Sequence, residues 1–118
     1  MASRAPSYRD VWFADLGAPV GHEQGFQRPA LVVSPDQFNH GSAGLVVVVP
    51  LTTTARGVPL HVLVEPPEGG LRERSFAMCE QVRSLSRERL VDVWGRARPE
   101  TLREIVMRLR LLTPAPAG

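Results

Sequence analysis

Arg28 stands at the mouth of an apolar run, Pro29-Ala30-Leu31-Val32-Val33, directly after a glycine-flanked polar loop, Gly21-His22-Glu23-Gln24-Gly25. A guanidinium is permanently charged, and its planar fork matches two oxygens of a phosphate. Pro29 holds the arginine backbone in extended geometry and so limits where the fork can point. His22, beside Glu23, offers an imidazole able to carry a proton near neutral pH. Thr52 follows the run Gly44-Leu45-Val46-Val47-Val48-Val49-Pro50-Leu51 and offers a hydroxyl. Such a set could grip a phosphodiester, stabilise charge on it and move a proton. Each member also has a plain structural reading. Arg28 could be a surface ion-pair partner, His22 a solvated loop residue, and Thr52-Thr53-Thr54 ordinary strand-end and turn chemistry.

Other chemistries find less support. Cys79, the one cysteine, lies between Met78 and Glu80 on an apolar stretch, where a small core residue is expected rather than a nucleophile. It permits no internal disulfide and fits a reducing, cytoplasmic setting. His22, His40 and His61 stand 18 and 21 residues apart without metal-ligand spacing, so neither a metal nor another cofactor is expected. No apolar run approaches the roughly 20 residues that span a bilayer, and the first residues lack the apolar segment of a signal peptide. All fourteen basic residues are arginine, with a formal net charge of +2. Codon usage in a GC-rich genome and recognition of phosphate by guanidinium groups both account for that bias, and the two are compatible.

The elements that must position these groups read as strands followed by one helix. Strands are expected over 9–16, 29–34, 44–51, 60–64, 75–85 and 92–97, separated by turn signals such as Glu65-Pro66-Pro67-Glu68-Gly69-Gly70. Four consecutive valines imply a strand covered on both faces, and Pro50 a bulge or edge near its end. After Arg98, Pro99 suits a first helical position, and Leu102, Ile105, Val106, Leu109 and Leu112 form one apolar face. Length and pattern predict a single domain over residues 1–118, mainly β (α+β): a small, curled antiparallel barrel with a C-terminal helix, and flexible ends at 1–7 and 113–118. The apolar run 45–49 and the helix present more apolar surface than one small barrel readily hides, which predicts a twofold homodimer.

Five short motifs then stand in a familiar order. Asp10-Val11-Trp12 with Asp15-Leu16, Gly21-His22-Glu23-Gln24, Arg28-Pro29-Ala30-Leu31-Val32-Val33-Ser34, Pro50-Leu51-Thr52, and Glu80-Gln81-Val82-Arg83-Ser84-Leu85 with Arg89-Leu90 resemble the MazF/PemK toxin family over roughly residues 8 to 112. The resemblance implies a Src-homology-3-like barrel that forms a homodimer and is neutralised by a MazE-like antitoxin. It implies a metal-independent endoribonuclease that cuts single-stranded RNA, leaving a 2′,3′-cyclic phosphate and a 5′-hydroxyl. It places catalytic roles on Arg28 and Thr52, and an RNA groove along Glu23, Gln24, Glu80 and Gln81. The position after Gly21 is often serine in the family and is His22 here.

The resemblance also brings a general-base role for the arginine, which its acidity disfavours. With a pKa of about 12.5 or more, a neutral guanidinium at pH 7 is at most about one in 10⁵ and costs roughly 7 kcal/mol to generate. His22 is the less costly acceptor and is taken as the candidate proton carrier. Phe26 could serve as a platform for an unstacked base or as a loop anchor. Arg56 and Arg83 could bind flanking phosphates or simply solvate a face. Two other functions fit the same architecture: a toxin that binds a protein target such as DNA gyrase without cutting RNA, and a non-catalytic RNA-binding barrel.

Overall fold

The computed structural model describes residues 5–18, 21 and 26–117. Seven strands build one sheet: β1 (Asp10–Asp15), β2 (Gln27–Val32), β3 (Leu45–Thr52), β4 (His61–Val64), β5 (Ser75–Met78), β6 (Arg83–Ser86) and β7 (Leu90–Arg96). A short α1 (Asp36–Asn39) lies between β2 and β3, and α2 (Pro99–Leu112) ends the chain. The strand order is β4-β5-β3-β2-β1-β7, with β6 also pairing β3, and each printed pairing is antiparallel. The sheet is curled without closing, its two ends being β4 and β7.

The valine run lies where its composition requires. Val46 and Val48 face one apolar cluster with Trp12, Ala14, Ala30, Val32 and Leu85; Val49 and Leu51 face a second with Val11, Leu31, Leu102 and Ile105 of α2. Both faces of β3 are therefore covered within the chain from Val48 to Thr52, while Leu45 and Val47 stay partly exposed. The exposed apolar side chains lie elsewhere, among them Trp94 on β7 and Met107 and Leu111 on α2.

Two expected strand bounds change for physical reasons. Residues 75–85 are two strands separated by a 3₁₀ turn at Cys79–Gln81. On β3, Leu45 to Val48 pair with β6 while Leu51 and Thr52 pair with β5, so only Val49 and Pro50 lie opposite the five residues 78–82. Pro50 has no N–H to offer the ladder, and the surplus chain winds into a turn there. The second strand begins at Gln27 rather than Pro29, because Gln27 and Arg28 already pair with Asp15 and Ala14 of β1.

α2 starts where Pro99 predicted it, and a remote carboxylate completes its first turn: Glu68 accepts from the Arg98 backbone N–H at 2.8 Å and from Thr101 Oγ1. Near Glu68, Gly70 (φ 72°) allows a close approach to β7, since a Cβ there would lie 2.2 Å from the Trp94 carbonyl oxygen.

Candidate active site at the splayed end of two strands

Two prolines end the ladder between β2 and β3. Its last pair is Ala30 with Pro50, and Pro29 lies one residue beyond. Two more residues of the same register lead to Arg28 on one strand and Thr52 on the other. Beyond the ladder the arginine links the two strands: its Nη1 donates to the Leu51 carbonyl oxygen at 3.5 Å. That carbonyl belongs to the peptide preceding Thr52, so guanidinium and hydroxyl share one corner of the molecule. Alternation puts Arg28 on the sheet face of Ala14, Ala30 and Val32.

Thr52 is buried, and its Oγ1 accepts from the Thr54 N–H at 3.2 Å, which pins the turn leaving β3. A hydroxyl accepting one bond still has a proton to donate. Thr53 and Thr54 are exposed. Phe76 of β5 stands opposite Thr52 and fixes the strand end from the other side.

The charge around Arg28 is unusual for an arginine. Burial lowers its pKa, and the positive charge of Arg56 lowers it further. Both effects mean that the cation would be better off beside an added negative group, which an incoming phosphate supplies. Arg56 itself is exposed on the β3–β4 connection.

The base of the β1–β2 loop adjoins this corner. Leu16 N–H donates to the Phe26 carbonyl at 2.8 Å, Phe26 N–H donates back to Gly17, and Asp15 Oδ1 accepts from Gly17 N–H at 2.9 Å. Phe26 adopts a left-handed backbone (φ 60°), uncommon for an aromatic residue, and its side chain is 67% exposed. An exposed ring on a fixed turn fits a stacking platform; the loop-anchor alternative required it to pack inward. Arg83 Nη1 donates to the Leu16 carbonyl at 3.2 Å, tying β6 to the same loop base. Arg83 also shares the Arg28 face, since it pairs with Val48 and Val48 belongs to the same apolar cluster as Ala30.

Thus Arg28, Thr52, Arg56, Phe26 and Arg83 converge on one end of the sheet. His22, Glu23 and Gln24 lie outside the described residues. Glu80 and Gln81 are on the 3₁₀ turn rather than on a strand, because that turn absorbs the surplus chain opposite Pro50. Glu80 Oε2 lies 2.8 Å from His61 Nε2. The pairing of His61 with Glu80 was not legible in the sequence because 19 residues separate them. Nor was the place of Arg89, whose Nη1 reaches to within 3.2 Å of where a Cβ on Gly17 would lie, beside the loop base.

Cys79 is fully buried, and burial above all pushes its thiol up to about 11, with Arg108 acting in the opposite direction. That describes an inert core thiol. Among the described residues no three His, Cys, Asp or Glu side chains gather in a way that could hold a metal ion, and no helix is long and apolar enough to cross a membrane.

Comparison with known proteins converges on one family. The PemK-like, MazF-like toxin family of type II toxin-antitoxin systems matches residues 8–113. The chain is 36% identical over 107 residues to endoribonuclease MazF9 of Mycobacterium tuberculosis, covering 86% of this chain and 91% of that one. It is similar in structure to a crystal structure of MazF from Deinococcus radiodurans, with a TM-score of 0.84 and 29% identity over 96% of this chain and all of the other. A mycobacterial endoribonuclease in complex with its cognate antitoxin gives a TM-score of 0.75 at 30% identity, covering 95% of this chain and all of that chain. Fold, motif order and these matches agree: the chain belongs to the PemK-like, MazF-like toxins of type II toxin-antitoxin systems.

Proposed function

We propose that this toxin is a metal-independent endoribonuclease that cuts single-stranded RNA at short sequences. The substrate 2′-hydroxyl loses its proton and attacks the adjacent phosphorus. The bond from phosphorus to the 5′-oxygen breaks, that oxygen takes up a proton, and a 2′,3′-cyclic phosphate and a 5′-hydroxyl result. The reading is supported by relatives named as endoribonucleases and, above all, by one observation. Beyond the last ladder pair, Arg28 reaches from β2 to the peptide of β3 that carries Thr52.

Arg28 acts as the cationic clamp on the phosphorane, where preformed donors are worth most. Thr52 donates its hydroxyl to a phosphoryl oxygen or holds the arginine fork in place. His22, proposed on sequence alone, accepts the 2′-hydroxyl proton. Phe26 stacks against an unstacked base, Glu23, Gln24, Glu80 and Gln81 read base edges, and Arg56 and Arg83 bind flanking phosphates. The chain works as a homodimer in the cytoplasm, and the exposed apolar residues Trp94, Val91, Met107 and Leu111 are consistent with surface covered on assembly. A MazE-like antitoxin neutralises it by covering the arginine-rich groove; a mycobacterial relative forms a complex with its cognate antitoxin.

The test is incubation of purified protein with a long single-stranded RNA in excess EDTA, followed by end-group analysis. Discrete fragments with cyclic-phosphate ends, lost in Arg28→Ala, are the expected result. Intact RNA after exposure to folded protein would overturn the reading and favour a toxin that binds a protein target.

A further inference from the structure

We infer that His61 is a positioning residue for RNA recognition: it clamps the Cys79–Gln81 turn through Glu80 and so sets how that turn meets substrate. The inference rests on the nuclease reading above and adds to it a residue outside the strand-end site.

The turn is a weak point in the frame. It holds three residues of 3₁₀ helix, whose hydrogen-bond geometry is poorer than that of an α-helix, and no side chain caps its start. Val82 N–H closes it on the Cys79 carbonyl at 3.2 Å. Its position nevertheless matters. One end continues into β5, whose Phe76 opposes Thr52, and the other into β6, whose Arg83 reaches the β1–β2 loop base. A turn free to shift would blur the placement of Gln81 between those two anchors.

His61 adds a restraint from a third strand. It opens β4 opposite Met78, the residue just before the turn, and its side chain is only 4% exposed. Nε2 lies 2.8 Å from Glu80 Oε2. A carboxylate accepts only, so the hydrogen resides on Nε2 and the imidazole is the donor. Nδ1 is buried with no hydrogen-bond partner. A residue that only filled space could be leucine and leave nothing orphaned; the imidazole is accounted for by the one bond it makes to the turn. The bond is short, charge-assisted and shielded on the histidine side, which makes it directional. β4 in turn is tied to α2, where Arg108 Nε donates to the Pro59 carbonyl at 3.1 Å. The clamp thus stands on rigid elements rather than on loops.

His61→Phe fills the space without the donor, while His61→Gln keeps an N–H near Nε2. The readouts are steady-state cleavage of a short RNA containing the preferred site, and amide exchange of residues 79–82 without RNA. We expect His61→Phe to raise KM about ten- to a hundredfold with kcat changed less than about threefold, the pattern of lost substrate placement. Exchange at residues 79–82 should quicken while β2 and β3 stay protected. His61→Gln should recover most of both effects, and His61→Phe with Glu80→Gln should be no worse than the more impaired single variant. Should His61→Phe not fold, His61→Gln set against Glu80→Gln carries the comparison through the same two readouts. Unchanged KM and exchange, or additive effects of the two substitutions, would overturn the role. If the wild type cuts no RNA, the nuclease reading fails and this role with it, even where exchange shows the turn still pinned.

Discussion

Asp10 and Arg28 are two charges withdrawn from water and treated in opposite ways. Asp10, wholly buried at the start of β1, accepts from Ser7 N–H at 2.8 Å and Trp12 Nε1 at 3.1 Å, and faces Arg96 Nε at 3.5 Å. Every one of those contacts turns an N–H toward its oxygens. Arg28, half-buried at the start of β2, is disfavoured as a cation by its burial and by a second cation, Arg56. A charge that serves the fold is surrounded by what stabilises it. Arg28 has a second cation beside it, a setting that an arriving phosphate would offset. The two residues lie on the two strands of one hairpin but toward its opposite ends, since Arg28 pairs with Ala14, four residues along β1 from Asp10.

Substituting each charge separates the two roles, and the largest effect is expected at the arginine. Arg28→Ala should lower kcat for RNA cleavage by about 10³, equivalent to roughly 4 kcal/mol of transition-state stabilisation. Its thermal midpoint should fall by no more than a few degrees, since the residue is only half-buried. Arg28→Lys should rescue little, because a point charge cannot reproduce the fork. Asp10→Ala should do the reverse: about 3 kcal/mol of lost stability, seen as a midpoint lower by roughly 10 °C, with normal cleavage by the fraction that remains folded. Comparable catalytic losses in both variants would break the comparison.

Cys79 shows a third outcome, a buried group that avoids charge by keeping its proton. With a folded pKa of about 11 against about 8.5 for an unfolded cysteine, the unfolded chain loses its proton first as pH rises. Stability from this group is full below about pH 8.5 and falls between there and about 11. Urea denaturation at pH 8 and pH 10 should show wild type losing about 2 kcal/mol more than Cys79→Ala over that interval. Equal losses in the two proteins would mean that the thiol ionises in the folded core.

How far the sequence alone carried these distinctions varies by element. The valine run, the helix opened by Pro99 and the arginine at a strand mouth follow from local pattern, because each depends on side chains within a few residues of one another. The break at Cys79–Gln81 does not. The stretch Ser75 to Leu85 contains no glycine, proline, asparagine or aspartate to mark a turn, and the interruption arises only when β5 and β6 must both register against β3 around Pro50. Arg28 and Thr52 were identifiable singly, yet their shared corner follows from the ladder ending at Ala30 and Pro50, a long-range fact. The contact between His61 and Glu80 lay beyond any local signal for the same reason.

Arg56 gives the smallest effect and the sharpest discrimination. Its charge lowers the Arg28 pKa, so Arg56→Ala must move that pKa back up. If neutral Arg28 were the general base, raising its pKa would make the base scarcer and kcat would fall. If Arg28 is a cationic clamp, its protonated form is already fully populated near neutral pH, and kcat should change less than about twofold. The loss should then appear in KM, about five- to tenfold at low salt, as expected for one exposed phosphate contact worth about 1 kcal/mol. Because Arg56 is exposed, the KM difference should shrink as ionic strength rises and be nearly gone by about 0.5 M, where charges a few ångströms apart in water are screened. A fall in kcat that persists at high salt would return the proton-accepting role to Arg28. A salt-sensitive rise in KM alone would leave that role to another group, with the loop imidazole His22 the first to be replaced.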